Sequence, residues 1–155
     1  MVDVRGVGVL IRGKSGVGKS ETALGLIERG AALVADDMVY VRNVGGELVA
    51  SAPEMSRGFM EVRGLGIRHN KRLDLIVTLI PAKDQEELDR LGLEREGLDV
   101  LGEKVLHVQL SVAPGRDIAR LVEVAAMDYH LKDMGIDMAG EFNRRLMSNF
   151  QSSEN

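Results

Sequence analysis

The sequence has no cysteine and no tryptophan among its 155 residues. The lack of cysteine excludes a disulfide framework and a thiolate metal site, and it fits a reducing, cytoplasmic location. Aromatic residues make up only 3% of the chain, so the core must consist of aliphatic side chains and methionine. At this length we expect one domain with a single core.

Long apolar runs and a positive net charge are also missing. No run reaches the roughly 20 apolar residues that cross a bilayer, and the first residues lack the pattern of a signal peptide. The formal net charge is -4, whereas proteins that bind the phosphate backbone of nucleic acids present a basic face. We therefore expect a nucleotide, together with a small molecule or a protein, as partner, and neither nucleic acid nor a membrane.

Glycine, in contrast, is abundant, with 18 residues. One glycine cluster lies between an apolar run at 7–11, typical of a buried strand, and a predicted helix at 19–29. A second apolar run at 32–35 completes a predicted β-α-β unit with a parallel pair of strands. The apolar residues that we place on one face of the helix are Ala23, Leu24 and Ile27.

Other patterns predict further strands and helices. Gly45-Gly46 lies between two short apolar runs, at 39–41 and 48–50, as in a β-hairpin. Residues 82–104 are mostly charged and predict a surface excursion with one or two helical turns. The remaining predicted elements are strands at 59–62, 73–80 and 105–112 and helices at 117–134 and 137–147.

The glycine cluster carries the clearest chemical signal. Residues 13–20 match the pattern G-x-x-x-x-G-K-[ST], between a strand and a helix. In such a P-loop, backbone N–H groups surround phosphate oxygens and the helix N-terminus adds positive potential. Lys19 is predicted to contact the β- and γ-phosphates, and the Ser20 hydroxyl to bind Mg²⁺. The predicted nucleotide-binding residues are Gly13, Lys14, Ser15, Gly16, Val17, Gly18, Lys19 and Ser20.

Two adjacent acids, Asp36 and Asp37, follow the second predicted strand. Ligands of open α/β sheets bind at the carboxyl ends of the strands, so an acid here could hold Mg²⁺ or accept a proton. Neighbouring side chains of a strand point to opposite faces, so the two acids need not share one role. A pair of solvated acids at a turn is the alternative.

Six segments together resemble the HPr kinase/phosphorylase family, bacterial enzymes that phosphorylate a serine of the phosphocarrier protein HPr. The resemblance implies an α/β P-loop kinase domain with a mixed β-sheet, related to phosphoenolpyruvate carboxykinase. It also implies a homohexamer that uses ATP with Mg²⁺, inorganic phosphate and pyrophosphate. In family order, the segments are VDVRGVGVLIRGKSGVGKSETALGLIERG, LVADD, MEVRGLGI, DRLGL, PGRDIARLVEVAAM and MGIDMAGEFNRRL.

The resemblance also implies roles for residues that would otherwise be interpreted as solvated surface. Asp37 matches the acid that accepts the proton of the substrate serine, and that returns it when phosphate attacks phosphoserine and pyrophosphate leaves. Glu61 matches a second Mg²⁺ ligand. Arg90 and Arg116 match catalytic segments.

Three family features are not found in the sequence. Full-length members carry an N-terminal domain, and a catalytic histidine precedes the VDV segment. Longer members also have an extra glycine-containing loop between the positions of Ile67 and Arg68. We therefore expect residues 1–155 to be the catalytic domain without the N-terminal regulatory domain. Because this histidine is absent from the sequence, the resemblance supports full activity less strongly, and the phosphorylase reaction least of all.

Other P-loop proteins are the alternatives. A small-molecule kinase or a short HPr-kinase relative with a different substrate would share the loop. A regulatory GTPase is suggested by residues 70–74, Asn-Lys-Arg-Leu-Asp, although Asp74 falls one position late for the Asn-Lys-x-Asp motif. A non-catalytic nucleotide-binding module is disfavoured by the presence of Lys19, Ser20, Asp37 and Glu61.

Overall fold

The computed structural model describes residues 1–53, 70–84 and 97–135. The predicted strand at 59–62 and the predicted helix at 137–147 lie outside these ranges. Within them, no helix is long and apolar enough to span a membrane. In chain order the elements are β1 (Val2–Val4), β2 (Val7–Gly13), α1 (Lys19–Glu28), β3 (Ala32–Leu33), β4 (Tyr40–Val44), β5 (Glu47–Ser51), β6 (Asn70–Arg72), β7 (Leu75–Ile80), a 3-10 helix (Ala82–Asp84), β8 (Leu98–Val100), β9 (Glu103–Ser111) and α2 (Ile118–Asp133).

Two sheets organise the described part of the chain. The larger sheet has six strands in the order β3-β1-β2-β7-β9-β8. Strands β2, β7 and β9 are parallel, whereas β1 and β8 run antiparallel to their neighbours. The smaller sheet is antiparallel, in the order β4-β5-β6. The prediction of an α/β fold with a mixed sheet is thus confirmed.

The predicted parallel pair around α1 needs a correction. Strand β3 runs in the same direction as β2, but β1 lies between them and pairs antiparallel with both. The two-residue turn Arg5-Gly6, with φ of 50° and 92°, joins β1 to β2, as in hairpins with a primed turn. Strand β1 was not predicted, because three residues are too few to show a periodic pattern.

Buried aliphatic side chains form a layer on each face of the larger sheet. One layer lies under α1 and α2, and the other lies between the two sheets. The predicted face of α1 is partly wrong, since Leu24 is 58% exposed whereas Leu26 is fully buried. The rotation of α1 follows from its contact with α2: an added Cβ on Gly25 would lie 3.1 Å from the Ala119 Cβ, so this side of α1 meets the second helix.

Several elements agree with the local signals. The hairpin β4-β5 turns at Gly45-Gly46, whose φ angles are 61° and 89°. Helix α2 begins after Asp117, whose carboxylate accepts a hydrogen bond from the backbone N–H of Arg120 at 3.1 Å. It ends before Gly135, which has a φ of 80°. In contrast, the predicted surface excursion at 82–104 contains β8, which pairs with β9.

The carboxylate of Asp74 connects three parts of the fold. It is buried just before β7 and accepts hydrogen bonds from the Gly8 N–H at 2.9 Å, the Arg72 Nε at 2.5 Å and the Tyr129 hydroxyl at 3.2 Å. These donors belong to β2, β6 and α2. Burial, and next the negative charge of Asp74, raise the pKa of Tyr129 to about 12. The larger sheet, the smaller sheet and α2 therefore share one buried acceptor.

We expect Gly8→Ala to be among the most damaging single substitutions in this fold. An added Cβ would lie 1.8 Å from the Arg72 carbonyl oxygen, so the strands must separate, at a cost of about 3 kcal/mol or more. Gly46→Ala is the control, because its φ of 89° adds backbone strain of about 1–2 kcal/mol without such a clash. Urea unfolding of both variants tests this order, and a larger loss in Gly46→Ala would contradict it.

Tyr129→Phe should lower the free energy of unfolding by about 1 kcal/mol at neutral pH, because one hydrogen bond to a buried carboxylate is lost. The raised pKa means that the neutral phenol contributes fully below pH 10, and that its contribution is lost as the pH rises towards about 12. The difference between the wild type and Tyr129→Phe should therefore shrink between about pH 10 and pH 12. Tyr40→Phe is the control, since Tyr40 is 56% exposed. Equal effects of both substitutions in urea unfolding would argue against the Asp74 contact.

Candidate functional site

The carboxyl ends of the parallel strands meet at one edge of the larger sheet. Gly13 at the end of β2 pairs with Leu79, and Ile80 at the end of β7 pairs with Ser111 at the end of β9. Strand β3 runs in the same direction. The segments that follow β2, β3 and β9 therefore lie at this edge, which is where open α/β sheets bind their ligands.

The glycine loop, residues 13–20, follows β2 and leads into α1, in the predicted strand-loop-helix order. Gly16 and Gly18 have φ angles of 80° and 107°, and an added Cβ would meet nothing within 4 Å at either position. These positions need glycine for their backbone conformation. Gly13 needs it for space, because its Cβ would lie 2.8 Å from the Val17 Cγ1 and 2.9 Å from the Leu79 carbonyl oxygen.

The Lys19 side chain folds back over this loop. Its Nζ donates hydrogen bonds to the carbonyl oxygens of Gly13 at 2.8 Å and Lys14 at 3.1 Å. No side chain caps the N-terminus of α1, where Gly18 is the N-cap residue, so the N–H groups of the first turn are not occupied by a capping oxygen. The loop thus combines an ammonium group with backbone donors, a combination suited to phosphate.

Asp36 and Asp37 are both exposed just after β3. Asp37 has a φ of 58°, and the Met38 N–H donates to the Asp36 carbonyl oxygen at 2.6 Å, so the chain turns sharply here. Through β1, the register places Leu33 level with Val9 of β2. The two acids thus follow at about the height of the start of the glycine loop, two strand spacings or roughly 10 Å across the sheet.

Arg116 lies at the same edge, in the turn between β9 and α2. Its Nη1 donates to the Ser111 carbonyl oxygen at 3.3 Å, while the side chain remains exposed. The next residue, Asp117, forms an ion pair of 2.7 Å with Arg29, which also contacts Glu123 at 3.1 Å. Arg29 directly follows α1, so it holds the start of α2 against the helix that the glycine loop begins.

The structure brings together the glycine loop, the Asp36-Asp37 pair and Arg116, whereas Glu61 and Arg90 lie outside the described residues. The proposed metal pair of Ser20 and Glu61 therefore stays a prediction. Among the described residues, no group of three or more histidine or acidic side chains could hold a metal. Mg²⁺ needs fewer, because it commonly takes one or two protein oxygens together with phosphate oxygens and water. The exposed Ser20 hydroxyl fits such a role.

A polar cluster that the sequence did not predict lies on the sheet face opposite the helices. The Thr78 Oγ1 and the His107 Nε2 are 2.7 Å apart. Burial, and next the positive charge of Arg12, lower the pKa of His107. The available signal was weak: a threonine within the apolar run of β7, and a histidine on the polar side of the alternation in β9.

The structure does not support the interpretation of residues 70–74 as a guanine-reading motif. Asp74 lies at the edge of the sheet opposite the glycine loop, since it precedes Leu75, the partner of Val9. Its carboxylate is buried and accepts the three hydrogen bonds described above. It is therefore a structural residue.

Comparisons with known proteins agree with this arrangement. A family model described as "HPr Serine kinase C-terminal domain" matches residues 1–146. The HPr kinase/phosphorylase of Chloroherpeton thalassium is 48% identical over 159 residues, which cover 94% of this chain and 47% of that protein. The HPr kinase/phosphorylase of a Geobacillus species is 47% identical over 167 residues, which cover 99% of this chain and 54% of that protein. The chain thus spans about half the length of these relatives.

A solved structure is similar as well. The HPr(Ser) kinase/phosphatase from Coxiella burnetii matches with a TM-score of 0.75 and 27% sequence identity, covering 91% of this chain and 93% of that one. Both kinds of similarity extend over nearly the whole chain. The chain therefore belongs to the HPr serine kinase family and corresponds to its C-terminal domain.

Proposed function

We propose that this chain is the catalytic domain of an ATP-dependent protein-serine kinase that phosphorylates HPr. The observation that carries the proposal is the Lys19 ammonium group folded over a glycine loop, at the sheet edge where Asp37 also lies. The names of the relatives, HPr kinase/phosphorylase, support HPr as the substrate. They also support the reverse reaction, in which phosphate attacks phosphoserine and pyrophosphate leaves.

Binding and charge neutralisation provide most of the catalysis in this proposal. Phosphoryl transfer needs alignment and compensation of charge more than covalent help. The loop N–H groups and Lys19 hold the phosphates of ATP, and Ser20 and Glu61 hold Mg²⁺, which offsets the charge of the transferring group. Arg90 and Arg116 complete the set of cations.

Asp37 is the proposed general base. In the forward reaction its carboxylate accepts the proton of the serine hydroxyl while the γ-phosphoryl group moves to the serine oxygen. In the reverse reaction the protonated carboxyl returns the proton to that oxygen as phosphate attacks the phosphoserine phosphorus. Asp36 occupies the preceding position of the same sharp turn and has no such role here.

The proposal also covers the oligomeric state, the cellular location and the binding partners. We propose a homohexamer in the cytoplasm, with HPr, ATP, phosphate and pyrophosphate as partners and without nucleic acid. The alternative is a P-loop kinase with a different acceptor, because the loop and Asp37 would serve either acceptor equally. Incubation with HPr, Mg²⁺ and γ-labelled ATP separates the two, since only the first predicts labelled HPr.

Lys19→Ala should abolish the labelling of HPr, because the ammonium group that neutralises the β- and γ-phosphates is lost. Lys104→Ala is the matched control, since Lys104 is an exposed lysine paired with Asp99. Its rate should equal that of the wild type. Labelling by Lys19→Ala at the rate of Lys104→Ala would contradict the assignment of the loop.

Asp37→Asn should lower both reaction rates by about 10²–10⁴-fold, the usual cost of removing a general base, while ATP still binds. Asp36→Asn introduces the same change one residue earlier and should cost far less. Kinetics in both directions, with ATP affinity measured separately by titration, would decide between the two acids. A normal rate in Asp37→Asn beside an inactive Asp36→Asn would reverse the assignment.

A further inference from the structure

A row of polar side chains crosses the larger sheet just before the glycine loop. Arg12 of β2, Thr78 of β7 and Gln109 of β9 are register partners, so they share the sheet face opposite the helices. One register step earlier on this face lie Leu10 and Ile76, which belong to the apolar layer between the two sheets. In β2 and β7 the face thus changes from apolar to polar at this row, whereas in β9 the polar His107 already lies beside Ile76.

The row is accessible to solvent, and Arg12 gives it a positive charge. Arg12 and Gln109 are exposed, and Thr78 and His107 are half-buried. None of the ion pairs found within the described ranges involves Arg12. Burial, and next the positive charge of Arg12, lower the pKa of the His107 imidazole.

The hydrogen bond between Thr78 and His107 leaves the threonine able to donate. A hydroxyl has one hydrogen, whereas its oxygen can accept. When the His107 Nε2 carries a hydrogen, it donates to the Thr78 Oγ1 over the 2.7 Å separation, and the hydroxyl hydrogen is free for another acceptor. This arrangement needs only the Nε2–H tautomer, which exists in neutral histidine.

Each member of the row can donate a hydrogen bond. The guanidinium group offers a planar fork that matches pairs of phosphate oxygens, and the Thr78 hydroxyl and the Gln109 amide each offer a further N–H or O–H. The Cα atoms of Arg12 and Gln109 are roughly 10 Å apart, two strand spacings, so these side chains can reach one small ligand between them. Such a set of donors suits an anion with several oxygens.

We propose that Arg12, Thr78 and Gln109 form a second phosphate-binding site, in which His107 is a positioning residue that orients the Thr78 hydroxyl. The ligand is a phosphate dianion, either free or as the phosphoserine group of a protein. The choice of phosphate over a carboxylate rests on the proposed function. Since Arg12 precedes Gly13, this phosphate lies beside the glycine loop, on the sheet face away from α1.

The test is a titration with inorganic phosphate that is monitored by NMR of the backbone amides. Mg²⁺ and a non-hydrolysable ATP analogue are present throughout, so that the glycine loop is already filled. We expect saturable shifts at Arg12, Thr78 and Gln109. Arg12→Gln should weaken phosphate binding by roughly tenfold or more, as for the loss of a charge-assisted hydrogen bond. Arg42→Gln makes the same change at an exposed position of β4 and should leave the affinity unaltered.

Two pairs of variants separate binding from structural damage. Thr78→Val removes the hydroxyl and should weaken phosphate binding, whereas Thr78→Ser retains the hydroxyl and should preserve it. His107→Phe removes the hydrogen bond to Thr78, whereas His107→Gln supplies an amide N–H in its place and should restore the affinity. Equal phosphate affinities of Arg12→Gln and Arg42→Gln, or shifts confined to residues 13–20, would overturn the proposal.

A phosphoserine peptide and its unphosphorylated form distinguish the two sources of phosphate. Tighter, Arg12-dependent binding of the phosphopeptide identifies a phosphoprotein as the ligand, and Arg12-dependent binding of inorganic phosphate alone identifies the free ion. Failure of the ATP analogue to bind would contradict the proposed function. Phosphate binding at the second site would then be measured in Lys19→Ala. Binding that depends on Arg12 in this variant would support the second site, and a lack of such binding would contradict it.

Discussion

The buried carboxylate of Asp74 is the interaction on which the layered arrangement depends. A carboxylate is costly to bury unless donors replace its water, and here the donors come from Gly8, Arg72 and Tyr129. Each donor belongs to a different element, so the carboxylate ties three elements together. Loss of any one donor leaves a buried charge with fewer partners. The contact also requires glycine at position 8, because the Arg72 carbonyl oxygen occupies the space of a side chain.

This anchor lies at the edge opposite the candidate site, and β2 connects the two. Gly8 holds one end of β2, and Gly13 begins the glycine loop at the other end. Arg29, which follows α1, joins the end of that helix to the start of α2 through Asp117. The elements before and after the loop are therefore fixed by packing and hydrogen bonds, while the residues that face a ligand remain exposed. Phosphoryl transfer depends on such positioning.

The sequence predicted those parts of the fold that short runs of neighbouring residues determine. The loop motif at 13–20, the Gly45-Gly46 hairpin and the helix ending at Gly135 were found because a few neighbouring residues specify each of them. Strands β1 and β8 have three residues each, too few for a pattern. The insertion of β1 beside β2, and the row containing Arg12 and Thr78, depend on pairing between distant segments, and a linear pattern does not contain that information.

Charge is distributed unevenly along this chain in a way that suits the edge of the sheet. The formal net charge is -4, yet residues 12–20 include Arg12, Lys14 and Lys19 and no acid. The end of β2 therefore concentrates cations about two strand spacings from the Asp36-Asp37 pair, and a local excess of positive charge attracts anions. Because neighbouring positions of a strand face opposite sides of the sheet, Arg12 lies on the face away from α1. Gly13 lies on the face of the helices, where it leaves room for the loop. If two phosphates bind here as proposed, one cation on each face of the same strand end would offset the repulsion between them.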